Sequence, residues 1–199
     1  MSHMKKLFFI FFFVFSLVQE AIAYNSDPKE FIQEIVDEAK KILVATNSKE
    51  FKAEKLSEIA LKTVDIKGIG FYTLGGYRKS LSEEQMNEYA KLFEKYFLKS
   101  FTSRLSDYSD PKIEVLSAEI INPKYTIVKS VLLATSKKPE VKIEWRVYTK
   151  NPEKPLIRDL IIEGLSLART QKEEFSSVIE NNDGDISKLF ETLKTFIDK

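Results

Sequence analysis

Val141-Lys142-Ile143-Glu144-Trp145-Arg146-Val147-Tyr148 alternates apolar and polar side chains along its whole length. Successive side chains of an extended strand point to opposite faces, so Val141, Ile143, Trp145 and Val147 share one face and Lys142, Glu144, Arg146 and Tyr148 the other. One face of the sheet that holds this strand is therefore dry. Working outward, Ile113 to Ile121, Thr126 to Ala134 and Leu156 to Ile162 show the same period, separated by turns at Asn122-Pro123, Lys137-Lys138-Pro139 and Asn151-Pro152-Glu153. Connections this short predict a four-stranded antiparallel meander.

The helical period rules on both sides of these strands. Asp27-Pro28 with Glu30 combines an N-cap, a first-turn proline and a capping-box acceptor ahead of Phe31, Ile32, Ile35, Val36, Ala39, Ile42 and Leu43. Ser48 caps a second predicted helix with Phe51, Leu56, Ile59, Ala60 and Val64 on its buried side. Ile66 to Tyr77, apolar and broken by glycines, predicts a short kinked helical segment. Ser82-Glu83-Glu84-Gln85 is a second capping box, and Met86, Tyr89, Ala90, Phe93, Tyr96, Phe97, Phe101, Leu105 and Tyr108 continue as the stripe of the longest helix, to about Ser106. After Gly164 two closing helices follow, through Leu167, Phe175, Val178 and Ile179 and then, past Asn181-Asn182-Asp183-Gly184, through Ile186, Leu189, Phe190, Leu193, Phe196 and Ile197. The predicted class is α+β, with helices packed on one apolar face of the sheet. No internal repeat or low-complexity segment follows the leader.

Lys5-Lys6, the apolar run from Leu7 to Val18 and the small-x-small site Ala21-Ile22-Ala23 read as a secretory signal cleaved before Tyr24, with Met1-Ser2-His3 a cloning remnant. The run stops at Gln19-Glu20, short of the about 20 apolar residues that span a bilayer. Residues 24–199 are expected to form one exported domain. Removing Lys5, Lys6 and Glu20 from 31 basic and 30 acidic residues leaves the charges balanced. Nucleic-acid binders need a surplus of positive charge, so none is expected as a partner.

The only histidine is His3, and cysteine is absent. Residues 24–199 therefore lack the side chains for Ser-His-Asp or Cys-His catalysis and for ordinary zinc sites, and neither a metal nor a cofactor is expected. Setting Gly184 at position 6 of a calcium loop puts Ile179 and Phe190 where its first and last carboxylates belong, so Asn181 to Asp185 is read as a helix C-cap at Gly184 and an N-cap at Asp185. Gly68, Gly70, Gly75 and Gly76 give no phosphate-loop register and are read as bending a helix. Asp159 and Glu163, with Glu173-Glu174 nearby, are the acids available for general acid-base work; the alternative is that they are solvated or capping carboxylates. The aromatic and aliphatic surface that remains is either a solid aromatic-rich core or the wall of a ligand cavity.

Two stretches bear on that choice. One runs from Leu74-Gly75-Gly76-Tyr77 through Ser82 to Gln85, then Phe93, Tyr96 and Phe101 to Tyr108. The other joins Val141 to Arg146 with Arg158-Asp159-Leu160-Ile161-Ile162-Glu163-Gly164-Leu165-Ser166-Leu167, Thr170-Gln171, Glu174-Phe175 and Ile179. Together they resemble the MlaC or toluene-tolerance family of periplasmic phospholipid-binding proteins, from about Phe31 to the C-terminus. Arg78-Lys79 departs from the aromatic and arginine the family often carries after the tyrosine, which removes the expected stacking residue at 78.

The resemblance implies a non-enzymatic lipid carrier: helices wrapped on a curved four-stranded antiparallel meander, NTF2-like or cystatin-like in outline, with acyl chains buried in an apolar cavity between. The helical share of the wall is expected from Ile66, Phe71, Leu74, Tyr77, Phe93, Phe97, Phe101 and Leu105. The sheet's share is expected from Ile113, Val115, Val128, Leu132, Ile143, Trp145, Val147, Leu160, Ile162 and Leu165. The implied partners are a phospholipid ligand, an outer-membrane lipoprotein–porin complex and an inner-membrane ABC lipid transporter with an MCE-domain subunit, served by a monomer that maintains outer-membrane lipid asymmetry. A related branch associated with hopanoids makes another apolar lipid the alternative cargo. The remaining alternatives are an enzyme acting on lipid or peptidoglycan through Asp159 or Glu163, and a protein-binding adaptor with a solid core.

Overall fold

A computed structural model describes residues 24–105, 110–136 and 139–199. The leader, Tyr108 and Lys137-Lys138 fall outside them. In chain order the elements are α1 (Pro28–Val44), α2 (Lys49–Thr63), α3 (Ile66–Thr73), a 3-10 turn (Gly75–Ser80), α4 (Glu83–Leu105), β1 (Ile113–Asn122), β2 (Tyr125–Leu132), β3 (Val141–Tyr148), β4 (Leu156–Ile162), β5 (Leu165–Ser166), α5 (Leu167–Glu180) and α6 (Ser187–Asp198).

The helix starts are chemically explicit. Asp27 Oδ1 accepts the Lys29 and Glu30 amides at 2.9 and 3.0 Å, and Ser48 Oγ accepts the Phe51 amide at 3.2 Å. At α4 the capping box closes in both directions, the Ser82 amide donating to Gln85 Oε1 at 2.9 Å and the Gln85 amide to Ser82 Oγ at 3.2 Å. Gly184 ends α5 at φ +81°, its amide donating to Ile179 O. The Asp185 carboxylate then accepts the Ser187 amide at the start of α6. Phe51, expected on the buried side of α2, is instead exposed. It sits in the first turn, with Lys55 over its ring, while Leu56, Ile59, Ala60 and Thr63 bury the rest of the helix.

The sheet is an antiparallel meander in the order β1-β2-β3-β4-β5. It has five strands where the sequence pattern predicts four. Glu163 and Gly164, at φ +49° and +81°, form a two-residue turn that folds Leu165-Ser166 back onto Ile161-Ile162 before α5 begins. Two positive φ values are what a tight hairpin between right-twisted strands requires.

The core divides in two. Phe31, Ile32, Ile35, Val36 and Leu43 of α1, with Leu56 and Ile59 of α2, seal Val128, Val147 and Ile157 on the sheet. A separate helical cluster joins α3, α4, α5 and α6 through Ile66, Ile69, Leu74, Tyr89, Phe93, Phe175, Ile179, Leu189 and Leu193. Val64, between α2 and α3, packs against both. Its backbone pairs in parallel with Ile157, and the Asp65 amide donates to Ile157 O at 2.9 Å. This short backbone splice, together with the ion pair Asp65–Arg158 at 2.6 Å, fastens the helical lobe to β4.

Gly70 serves a purpose other than bending. A Cβ there would stand 2.7 Å from Phe93 Cδ1, so glycine lets α3 and α4 approach closely. Gly75, at φ +56°, is the glycine that turns the chain out of α3.

Candidate functional site

The register of the sheet assembles one apolar face from four strands. Val128 lies opposite Trp145, Ser130 opposite Ile143, and Leu132 opposite both Val141 and Ile113. Across β3, Ile143 faces Ile162 and Trp145 faces Leu160. At one end of this face Thr126, Val128, Val147 and Ile157 are fully buried. Towards the other end the cover stops, and Ile113, Val115, Leu132, Ile143, Trp145, Leu160 and Ile162 are all half-buried. The apolar face thus has a sealed half and an open half.

Helix α4 approaches the open half with a single stripe. Phe93, Phe97, Phe101 and Leu105 recur every four residues, which places them on one side of the helix. Phe93 is buried in the helical core; Phe97, Phe101 and Leu105 are half-buried. The Phe97 and Phe101 rings stack at 5.7 Å and 11°, and Leu105 packs against the sheet cluster beside Ile113, Val115 and Trp145. The stripe therefore runs from the closed helical core, at Phe93, to the sheet cluster, at Leu105.

The polar side-chain atoms on this face of the sheet are satisfied. Trp145 Nε1 donates to Ser130 Oγ at 2.8 Å, and Ser130 Oγ donates to Ile143 O at 3.4 Å. Among the described residues no buried side-chain nitrogen or oxygen lacks a partner. Ser130 is the residue of this face that pattern reading missed, a second hydroxyl after Thr126 in the apolar phase of Thr126 to Leu132.

The expected wall residues fall into distinct places. Phe97, Phe101, Leu105, Ile113, Val115, Leu132, Ile143, Trp145, Leu160 and Ile162 are half-buried. Ile66, Leu74 and Phe93 are packed inside the helical cluster, and Val128 and Val147 are sealed in the sheet cluster. Phe71 and Tyr77 flank the helical cluster at the surface. Arg78 does stack, its guanidinium 4.9 Å from the Phe71 ring centre, which Lys67 also approaches at 5.6 Å. Leu165, on β5, is 59% exposed and faces solvent.

The carboxylates do not share a site. Asp159 is buried on the opposite face of the sheet, where it accepts the Ser166 hydroxyl at 2.6 Å and the Ala168 amide at 3.0 Å and pairs with Arg146 at 3.5 Å. It anchors the first turn of α5. Glu163 is exposed in the hairpin turn, and its Oε1 accepts the Lys142 amide at 2.5 Å. Glu173 lines a surface cleft of about 470 Å³ with Tyr72, Arg169, Lys172, Ser176, Ser177 and Glu180, sharing no residue with the two apolar stripes. Among the described residues no cluster of acidic side chains is arranged to hold a metal, and no helix is long and apolar enough to cross a membrane.

Residues 30–195 match the family model described as MlaC protein. Among solved structures, the chain is similar to the phospholipid-binding protein from Ralstonia solanacearum, determined in complex with a phospholipid. The TM-score is 0.72 at 16% identity, over 87% of this chain and 97% of that one. At that identity the likeness is one of fold. No curated protein matches the chain.

Proposed function

This chain belongs to the MlaC family, and we propose that it is a non-enzymatic phospholipid carrier that holds acyl chains between α4 and the open half of the sheet. The observation that carries this reading is that two apolar stripes are left half-covered: Phe97, Phe101 and Leu105 on the helix, and Ile113, Val115, Ile143, Trp145 and Ile162 on the sheet. An ordinary core would close such surfaces against each other. Each methylene moved from water into an apolar site is worth about 0.8 kcal/mol, so a 16-carbon chain gains roughly 13 kcal/mol from a dry wall. Extraction from a bilayer needs that wall more than it needs any polar contact.

The division of the core fits the same role. Phe97 rests on the helical cluster, whereas Leu105, Ile113, Val115 and Trp145 rest on the sheet cluster, so a lipid can enter between Phe97 and the sheet without either cluster being broken. No step of this function calls for a nucleophile, a base or a metal. In its cellular setting the protein is exported on residues 4–23, works in the periplasm and exchanges lipid between an outer-membrane lipoprotein–porin complex and an inner-membrane ABC transporter with an MCE-domain subunit.

Transfer of labelled phospholipid between donor and acceptor vesicles tests the proposal. The protein is expected to speed transfer in proportion to its concentration, without changing the lipid chemically. A protein that leaves the spontaneous rate unchanged, or that releases a hydrolysed lipid, rules it out.

A further inference from the structure

Most exposed apolar side chains of the described residues stand singly, as on any soluble protein, but Ile120 and Ile121 are adjacent, 79% and 53% exposed, at the tip of the β1–β2 hairpin. The β3–β4 hairpin tip lies beside it, the Thr149 amide donating to Lys124 O at 2.8 Å. Lys124, Lys150 and Lys154 stand exposed on these two tips against one exposed acid, Glu153. None of the three lysines is in an ion pair, whereas the neighbouring Glu119 is taken by Lys129 at 2.9 Å. The paired tips thus carry two isoleucines within a net positive rim.

We infer that these hairpin tips dock the protein on the anionic surface of a lipid bilayer, the isoleucines entering the headgroup region and the lysines meeting lipid phosphates. Lysines near an anionic membrane act additively, and apolar side chains among them supply the short-range contact that charge alone does not. The same features disfavour other occupants. A second copy of the chain would bring two sets of lysines together. Addition of a foreign strand along β1 is hindered by its irregularities between Val115 and Ser117 and between Ile120 and Asn122, which interrupt the edge. The inference rests on the carrier reading and adds where the carrier meets its membrane.

Flotation of the purified protein with phosphatidylcholine vesicles, and with vesicles containing about one-third phosphatidylglycerol, tests it. Binding is expected to the anionic vesicles only, and to be lost when salt is raised to about 1 M. The variants K124E/K150E/K154E and I120S/I121S are each expected to bind at least ~10-fold more weakly, with melting temperature and bound lipid unchanged, since every changed residue is exposed. Equal binding to both vesicle types, no binding by the unaltered protein, or unaltered binding by either variant overturns the docking surface. Self-association abolished by I120S/I121S also overturns it, by making the occupant a second copy. Lipid extracted from the same samples separates the two readings: loaded protein that ignores vesicles defeats only the docking surface, whereas protein that never holds lipid defeats the carrier.

Discussion

Trp145 donates its indole N–H to Ser130 Oγ over 2.8 Å, across the β2–β3 pairing and on the apolar face of the sheet. Trp145 is the only tryptophan, so its emission reports on this wall alone. A bound acyl chain is expected to shift that emission to shorter wavelength in a saturable titration with phospholipid. Ser130→Ala leaves the indole N–H without its partner and is expected to lower stability in urea by about 1–2 kcal/mol. An emission spectrum indifferent to lipid places the ligand elsewhere.

Asp65 serves two partners at once. Oδ1 accepts the Gly68 amide at 3.0 Å at the start of α3, and Oδ2 accepts Arg158 Nε at 2.6 Å. Arg158 in turn lies 3.6 Å over the Tyr148 ring and donates to Tyr125 OH at 3.0 Å. Asp65→Ala removes cap and ion pair together, an expected loss of about 2–3 kcal/mol in chemical denaturation, while Asp65→Asn keeps the cap and loses less. Equal losses for the two variants contradict the dual role.

Much of this architecture was legible in the sequence because it is written in local chemistry. Strict alternation fixed β3 to the residue, an apolar run after the Asn151-Pro152-Glu153 turn did the same for β4, and Asp27, Ser48 and Ser82 with Gln85 marked three helix starts. The elements that escaped depend on contacts distant in sequence or on very few residues. Leu165-Ser166 is too short for a period of two to show, so β5 read as the approach to α5, and Leu165 was placed on a wall when the hairpin turns it outward. Nothing near Val64 or Asp65 announces a partner on β4. The candidate wall was legible as a set of apolar residues but not as a geometry: periodicity marks Phe93 and Phe101 alike as inward-facing, and only packing tells that the first is sealed and the second half-covered.

Gly70→Ala probes the approach of α3 to α4. The added methyl would stand 2.7 Å from Phe93 Cδ1, and such overpacking is expected to cost about 1–3 kcal/mol. Adding Phe93→Leu, which takes away the clashing ring edge, is expected to make the alanine less costly than it is alone. Thermal melts of the four-member cycle decide this, and strictly additive losses count against the contact.

Asp159→Asn distinguishes a structural acid from a catalytic one. The carboxylate accepts the Ser166 hydroxyl and the Ala168 amide in a buried place, so the amide is expected to lower stability by about 1–3 kcal/mol while lipid loading survives. Glu163→Gln, in an exposed turn, is expected to be close to neutral. Loss of a lipid-cleaving activity in either variant, with stability intact, would assign the acids a chemical role instead.

The most direct test of the carrier account is mass spectrometry of the organic extract from protein purified without detergent, run beside Ile143→Asp. The account predicts phospholipid in near-stoichiometric amount from the unaltered protein. It predicts none from folded Ile143→Asp, whose charge sits in the wall between Ser130 and Ile162 and is expected to cost several kcal/mol, about 2–7, in folding stability. A lipid-free unaltered protein that also fails to take up added phospholipid, or a folded Ile143→Asp as fully loaded as its parent, contradicts it.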